Sequence, residues 1–577
     1  MGGAQSSSSN LSAAEEEDRK ELESKLRGTG DLAILDRAFS TLTASSSDSS
    51  SSSSTKHPTI PAHSLQAVFS LAPISTDDAT HPDLAQVLPQ IGPAIVNEFF
   101  DTENKEEIDW VQLLQGFHKC SQTTGGNGLK LLFSVFSQAT QLTKGPSQPK
   151  VLEKAPADSG SHFDMVGYLT GAQLRDFFWL CWLLMCSSRL PRIIGTSKME
   201  AFLPKLDSLL SGAVSACDIS KSKEVSSEES GLQKELPIME IQQWALSTIP
   251  TLGDCLLPYI RAKLDRVTAK MQDPVGDKAN EPTTAESSSQ EYPDKSNGEV
   301  DTENMPDEHN LLLQSGVAWA IGLSLRDTAA EILYRASCGL TSSPECEYPN
   351  LLYRSSVNGR GMNRFWTCVQ GYGGLTLFLV SASTTDEASS GTTQGQGFTV
   401  GALVPGGFTN KESFYGASGS CLFSLDPLFL PMRSIGREKN FAYSHKNAPG
   451  QAYRAQPKPQ GIGFGGSSSK ERIWLDEEFG TLLVRHHAVD KTYQAGSLVP
   501  NQGYGPTSAK IVDIEVWGLG GKHADEEQAR FLNREHLFTE QRRKVDLKTM
   551  FGTWANSPEK QMLDMVSDPN APRREER

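Results

Sequence analysis

Apolar residues recur at three- and four-residue intervals around Leu65–Leu71, Ile108–Phe117, Leu129–Phe136, Leu174–Met185 and Ile241–Ile249. That spacing predicts amphipathic helices across residues 58–269. The densest apolar run, Phe177–Cys186, is too short to span a bilayer and predicts a buried helix. Past residue 310 the period changes. Leu311–Leu325 and the segment after Arg326 still read as helix, but Leu375–Val380, Phe398–Val404, Cys421–Leu425 and Ile511–Trp517 read as strands between Gly, Pro, Ser and Asn turns. In the last strand Val512, Ile514 and Val516 share one face while Asp513 and Glu515 share the other. This is the pattern of a half-buried antiparallel strand with its carboxylates in solvent. From Asp525 the helical period returns, with Asp525–Glu527 at its start and Arg542–Lys544 near its end, charges that complement the macrodipole. Phe531, Phe538 and Val545, flanked by Leu532, form a stripe expected to cover the protein's own body, with docking on a partner as the alternative.

Polar stretches divide these patterns. Ser45–Ser54 is almost pure serine, breaks fall at Lys144–Gly160 and Ser220–Glu235, and residues 270–309 are rich in Asp, Glu, Pro and Ser. The expected organisation is a disordered arm (1–57), a helical region (58–269), an acidic disordered linker (270–309), a strand-rich domain (310–520) and a carboxy-terminal amphipathic helix and tail (521–577). The fold class is α+β and multidomain, a sandwich of short strands with flanking helices beside a helical region. A length of 577 residues allows several cores, while 37% hydrophobic residues and a mean hydropathy of −0.39 fit substantial disorder. The net charge of −16 argues against a general nucleic-acid binder. Nine cysteines without C-x-x-C pairing read as reduced thiols of a cytoplasmic protein, neither a disulfide framework nor a zinc ribbon.

Candidate chemistry is sparse. Asp101–Gln112 echoes a calcium-binding EF-hand loop in its acidic first, third and ninth positions and in Ile108. However, Lys105 occupies a ligand position, Glu106 replaces the turn glycine and Gln112 replaces the bidentate glutamate. We read a degenerate EF-hand kept for helix pairing, without metal. Gly461, Gly463 and Gly466 satisfy G-x-G-x-x-G, but a strand-like Ile473-Trp474-Leu475 follows instead of the helix that a dinucleotide site requires. Gly416–Ser420 lacks the last glycine of a nucleophile elbow. His486 and His487 are adjacent in a strand pattern and point to opposite faces. Glu515 is a conceivable general base, although a carboxylate there is more simply solvated. No catalytic residue, metal or cofactor is expected.

Met1-Gly2-Gly3-Ala4-Gln5-Ser6 fits N-myristoylation at Gly2 after loss of Met1. One acyl chain gives only marginal membrane binding, and the next charges, Glu15–Asp18, are acidic instead of the usual polybasic second signal.

Taken in order, Phe414-Tyr415-Gly416, Cys421–Leu425, Gly461–Gly466 with Gly463 and Gly465, Ile473–Asp476 with Trp474, and Ile511–Gly518 with Glu515 and Trp517 resemble a TLDc domain. Leu352–Ser356 resembles that family's opening helix, Gly374–Leu377 its first core strand, Asn440–Tyr443 its central strand and Thr492–Leu498 its threonine–aromatic motif. Asn358 stands where the family often has His, and Ala495 where it often has Asn. The resemblance covers about residues 311–520, and these landmarks are chiefly structural. With the acylatable glycine, the EF-hand-like region and the terminal helix, the chain is similar to the myristoylated Eak-type branch, and its serine insertions and acidic linker to that branch's fungal members linked to telomere capping. The resemblance implies a non-enzymatic protein tied to oxidative-stress resistance. It also implies binding to peripheral-stalk subunits of the vacuolar-type proton ATPase and modulation of its assembly. The implied location is the cytoplasm with reversible contact to vacuolar or endolysosomal membrane. Alternatives are a role in a process influencing telomere capping, an oxidative-defence enzyme or scavenger using Glu515, His486 or a cysteine, and a calcium-switched membrane sensor.

Overall fold

The computed structural model describes residues 13–47, 58–72, 82–100, 107–144, 152–154, 165–189, 203–217, 231–269, 311–338, 349–384, 397–447, 457–500 and 502–555, with short pieces beyond. Helix begins earlier than the pattern suggests. Helices α1 (Ala13–Gly28) and α2 (Asp31–Ser47) form a hairpin inside the segment expected to be a disordered arm. Leu26, Leu35, Ala38 and Phe39 bury there, and Asp31 accepts from Arg261 at 2.6 Å. Gly2 lies outside the described residues.

One local device then appears twice. Strand β1 (Ile60–Pro61) leads into α3 (Ala62–Phe69); after α4 (Pro82–Val87) and α5 (Ile91–Phe99), strand β2 (Glu107–Ile108) leads into α6 (Trp110–Ser121). The two strands pair antiparallel with Ile60 opposite Ile108, both buried. After α7 (Gly126–Lys144) and β3 (Leu152–Lys154), strand β4 (Met165–Thr170) leads into α8 (Gly171–Arg189); after α9 (Asp207–Ala216), strand β5 (Glu235–Pro237) leads into α10 (Ile238–Thr248). Here Leu169 opposes Leu236, again both buried. In each pair one helix starts after a proline, Pro61 or Pro237, and the other from a reciprocal cap. Asp109 accepts from the Gln112 N–H at 2.8 Å while Gln112 accepts from the Asp109 N–H. Thr170 and Gln173 repeat this exchange. Such caps satisfy two of the amide groups a helix start leaves open. Helix α11 (Leu256–Ala269) closes the region against α2, α3 and α8, with the Tyr259 hydroxyl donating to the Phe69 carbonyl. The run Phe177–Cys186 is buried within α8, as its composition requires.

Two helices, α12 (Ser315–Ser324) and α13 (Thr328–Ser337), precede the sheet. Its elements are β6 (Asn350–Arg354), the short α14 (Ser355–Asn358) and α15 (Met362–Val369). They continue with β7 (Thr376–Ser383), β8 (Gly397–Val404), β9 (Lys411–Tyr415), β10 (Cys421–Asp426), β11 (Leu430–Arg433), β12 (Ala442–His445), β13 (Gly461–Phe464), β14 (Ile473–Asp476), β15 (Thr481–Val484) and β16 (Thr507–Gly518). The antiparallel order is β11-β10-β8-β7-β16-β15-β14-β13-β12-β9, with β6 also on β16. Strand β16 is the seam. Its first residues pair with β15, its last with β6, and β7 runs along its other edge. One core lies inside the folded sheet, where Phe365 and Trp366 of α15 meet Phe378, Phe464, Leu482 and Ile514. A second lies on the opposite face of β7, β8 and β10, where Leu377, Leu379, Leu403 and Phe423 share a continuous core with α8, α9, α12 and α13. Leu377–Val380 is an unbroken apolar run because β7 is buried on both faces.

Three sequence expectations change. Leu352–Arg354 is strand, with helix only from Ser355. Asn440–Tyr443 does not form a central strand; β12 lies next to the edge strand β9. In β16 both faces are buried from Asp513 onward: the register shifts between Ile511 and Asp513, leaving Val512 56% exposed while Asp513 and Glu515 are buried along with Ile514 and Val516. A bulge re-aims one side chain by adding a residue to one strand, and alternation in the sequence does not reveal it.

Candidate interaction surface

The carboxylates that looked available for chemistry are spoken for. Glu515, fully buried, accepts from the Leu312 N–H at 2.9 Å, the Leu313 N–H at 3.2 Å and the Trp517 indole N–H at 2.9 Å, with Arg354 at 3.5 Å. Burial pushes its carboxyl above the ordinary value, and these donors and Arg354 oppose the rise. Its evident task is to fasten the chain entering α12 onto the sheet. Asp513 accepts from Ser355 Oγ at 2.6 Å, Ser356 Oγ at 2.9 Å and Arg354 Nε at 3.0 Å, besides the backbone N–H groups of Ser356 and Ile514. Burial works against the charge here, yet the donors hold its pKa below the ordinary carboxylate value. Asn358, a departure from the family's frequent His, accepts from the Arg354 N–H at 2.8 Å and closes this turn.

The other landmarks are packing devices. The Phe414 ring lies 5.5 Å from Tyr443, and the Tyr415 hydroxyl meets Ser444 at 2.6 Å, burial pushing its pKa up to about 12. Gly416 adopts φ +114° with its α-carbon against Phe441, and a Cβ on Gly463 would lie 2.8 Å from the Glu471 side chain and 3.0 Å from Trp474. Gly465, at φ +69°, lets Tyr493 approach. Gly461–Gly466 is therefore a strand and tight turn that leads into β14, not into the helix that a dinucleotide site requires. His486 meets Tyr504 edge-on and His487 lies 3.5 Å from Asp490, so the two histidines take different partners, and both lie beyond the end of β15. Ala495 is exposed. In the EF-hand echo, Asp109 and Gln112 spend their side chains on the helix cap instead of turning toward an ion, while 101–106 lie outside the described residues. Among the described residues no group of three His, Cys, Asp or Glu is placed to hold a metal, and no helix is long and apolar enough to cross a membrane.

The cysteines require a correction. Cys186 at the end of α8 and Cys338 after α13 are joined in a disulfide, Cα to Cα 5.8 Å. The spacing of 152 residues carries no sequence signature, because the bridge is made by helices packed from different regions. Around it Arg189 donates to both oxygens of Glu331, at 3.1 and 2.7 Å, and the Tyr334 hydroxyl meets Thr251 at 2.8 Å. Arg433 of β11 reaches across the same interface and donates to the carbonyls of Ser247, Thr248 and Ser324, at the carboxy ends of α10 and α12. A guanidinium there satisfies open carbonyls and matches the dipoles of both helices. Gly316 and Gly212 allow the backbones of Lys205 and Phe429 into contact distance. Of the free cysteines, burial pushes Cys120 and Cys421 up to about 12 and Cys217 up to about 11, so they remain protonated and weakly nucleophilic at neutral pH.

What remains unspent is helix α16 (Gly521–Ala555). It starts at Gly521, earlier than the acidic cluster suggested, and runs beyond Arg542–Lys544. Its first turns dock: Ala524 sits against Gly374, Asp525 accepts from Asn350 at 2.9 Å, and Gln528 donates to the Cys368 carbonyl at 2.8 Å. Phe531 lies over Gly371, which has φ +83°. Beyond that, every side chain from Leu532 to Lys544 is exposed, Leu537 and Phe538 at 57% each. The stripe expected to cover the body does so only as far as Phe531. The side chain of Val545 lies outside the described residues.

Comparison with known proteins agrees with this architecture. The TLDc domain model matches residues 328–520. The MTOR-associated protein MEAK7 of Danio rerio is 27% identical over 133 residues, 23% of this chain and 27% of that protein, so the likeness spans about a quarter of the relative's length. Residues 328–520, which hold α13, the sheet and the buried carboxylates Asp513 and Glu515, are thus a TLDc domain, and α12 lies before the matched segment.

Proposed function

We propose that this protein is a non-enzymatic regulatory adaptor whose TLDc domain and projecting α16 grip a protein partner. The observation that carries the reading is the contrast within one domain. Its buried carboxylates Asp513 and Glu515 are engaged internally, whereas α16 holds Leu532, Leu537 and Phe538 in solvent on a helix anchored at one end. A helix that holds apolar side chains in solvent this way fits a groove on a partner. The resemblance to the Eak-type branch, beside its fungal restriction-of-telomere-capping member, points to peripheral-stalk subunits of the vacuolar-type proton ATPase and to modulation of its assembly. The name of the Danio rerio relative adds an association with MTOR as a second partner class. Acylation at Gly2 is part of the proposal and gives the adaptor weak, reversible membrane contact that a bound partner reinforces. The paired helix–strand–helix units of the amino-terminal half are read as EF-hand-like pairs kept for packing. Their Ile60–Ile108 and Leu169–Leu236 contacts support that reading. A link to oxidative-stress resistance follows from the adaptor role and needs no catalytic group in this chain.

The test is affinity capture with the full chain and with a chain ending at Phe531. Peripheral-stalk subunits retained by the first and lost by the second support the reading. Equal capture by both removes α16 from it, and capture by neither removes the partner class.

A further inference from the structure

Three loops meet at one end of the sandwich: Ile435–Asn440 between β11 and β12, Gly466–Lys470 between β13 and β14, and Arg485–Gly496 after β15. Backbone bonds tie them together, from the Ile435 N–H to the Thr492 carbonyl at 2.9 Å and from the Glu438 N–H to the Lys491 carbonyl at 3.0 Å. The Asn440 side chain donates to the Gly466 carbonyl at 2.8 Å, and His487 lies against Gly466. The cluster is built, and its charges are sorted. Arg437, Lys439, Lys470 and Lys491 are exposed. The anions of the same loops are turned inward or paired. Asp490 binds buried Arg472 at 3.2 Å, Glu471 is buried and accepts from the Ser469 N–H, and Glu438 pairs with Lys491 at 3.0 Å. Apolar tips stand among the cations. Val489 is 85% exposed and Ile435 41%, and Tyr504, 88% exposed, leans on His486 at 5.3 Å.

A chain of net charge −16 has therefore gathered an excess of positive charge on one loop surface. Nothing in the fold explains the exposed apolar tips. We infer that this loop cluster is a contact surface for an anionic lipid bilayer. Cations near an anionic leaflet are attracted to it, and isolated apolar side chains on firm loops can enter the headgroup layer. Protein docking would favour a contiguous apolar patch, and here the apolar residues stand singly between charges. The surface supplies the second attachment that the acidic segment after Gly2 does not. The inference takes its setting from the membrane contact proposed above, but the surface acts without the acyl chain and is tested without it.

The experiment uses the full chain produced without acylation and vesicles of phosphatidylcholine, with or without about 30% phosphatidylserine, in co-sedimentation. We expect binding to the anionic vesicles only, with loss at about 0.5 M salt, where screening is short-ranged. The triple variant Arg437→Gln, Lys439→Gln, Lys470→Gln should bind on the order of a hundredfold more weakly, since each cation near such a surface contributes roughly fivefold. Val489→Asp should weaken binding with the melting temperature unchanged. Absence of sedimentation, equal binding to both vesicle types, or an unaltered triple variant would overturn the inference. So would vesicle indifference together with charge-dependent binding to polyglutamate, which would assign the surface to an acidic polypeptide. If the triple variant fails to fold, Lys470→Gln and the salt series carry the same decision. Partner capture through α16 is read in a separate assay, so either proposal can fail alone.

Discussion

Replacing Cys338 with serine tests the joint between the helical region and the TLDc domain. The bridge closes 152 residues, and the loop-closure relation assigns such a cross-link about 5 kcal/mol at 25 °C. Native disulfides commonly contribute about 2–5 kcal/mol, and for a cooperative unit of this size roughly 2 °C accompanies each kcal/mol. Cys338→Ser should therefore lower the melting temperature of oxidised protein by roughly 5–10 °C and leave reduced protein unchanged. Noncovalent contacts remain in the variant: the Arg189–Glu331 pair, the Thr251–Tyr334 contact and the Arg433 clasp. The modules should thus stay associated under native conditions. A protease site placed within 270–309 gives a direct readout, because the disulfide straddles that segment. After cleavage, oxidised wild type should run as one species on a denaturing gel without reductant and as two with it. Cys338→Ser should give two under both conditions. Two fragments from oxidised wild type without reductant would refute the bridge, and an unchanged melting temperature would refute its energetic weight.

Other perturbations follow from the same contacts. Glu515→Ala strips acceptors from the Leu312 and Leu313 amides and should cost about 3 kcal/mol by thermal melting, because an unsatisfied buried donor costs about 1–3 kcal/mol. Arg433→Ala should cost about 2 kcal/mol and speed amide exchange at the ends of α10 and α12, whereas Arg433→Lys restores only part of the loss. The two buried carboxylates give opposite pH slopes. Asp513, whose pKa is depressed, stabilises the fold above its ordinary value of 3.8 and loses that contribution as pH falls through its lower folded value. Glu515, whose pKa is raised, favours the fold at low pH and loses that contribution as pH rises from 4.5 through its folded value. Denaturation of Asp513→Asn between pH 5 and 3 should accordingly vary less steeply than wild type, by about the depressed group's share. Gly371→Ala forces a Cβ within 2.5 Å of the Phe531 ring at a positive φ, and should release the first turns of α16, read as faster exchange at Gln528.

Much of this was legible in the residues. The order of glycine–aromatic segments pointed to the TLDc domain, and the run Phe177–Cys186 predicted a buried helix, because both signals are local and dense. Three features were hidden for physical reasons. The strand Ile511–Trp517 alternates polar and apolar residues, yet a bulge and a covering segment at 311–313 bury Asp513 and Glu515. Alternation reports a face's chemistry, and a carboxylate surrounded by donors can occupy an inner face. The Cys186–Cys338 bridge depends on packing between helices far apart in sequence. Helices α1 and α2 were obscured by the neighbouring serine run, although Leu22 with Leu26 and Leu35 with Phe39 stand at helical spacing. Gln112 shows the reverse case, since its place at the position of an EF-hand's bidentate glutamate was visible in the sequence but its service in a capping box was not.

The central claim is that the TLDc domain with α16 binds a partner and does no chemistry. The most direct measurement is the affinity of the purified full chain for isolated peripheral-stalk subunits of the vacuolar-type proton ATPase, compared with the chain ending at Phe531. The account predicts saturable binding by the full chain and at least about tenfold weaker binding without the projecting helix, as expected when an apolar anchor is removed. No saturable binding by the full chain would contradict it, as would equal affinity for the two chains.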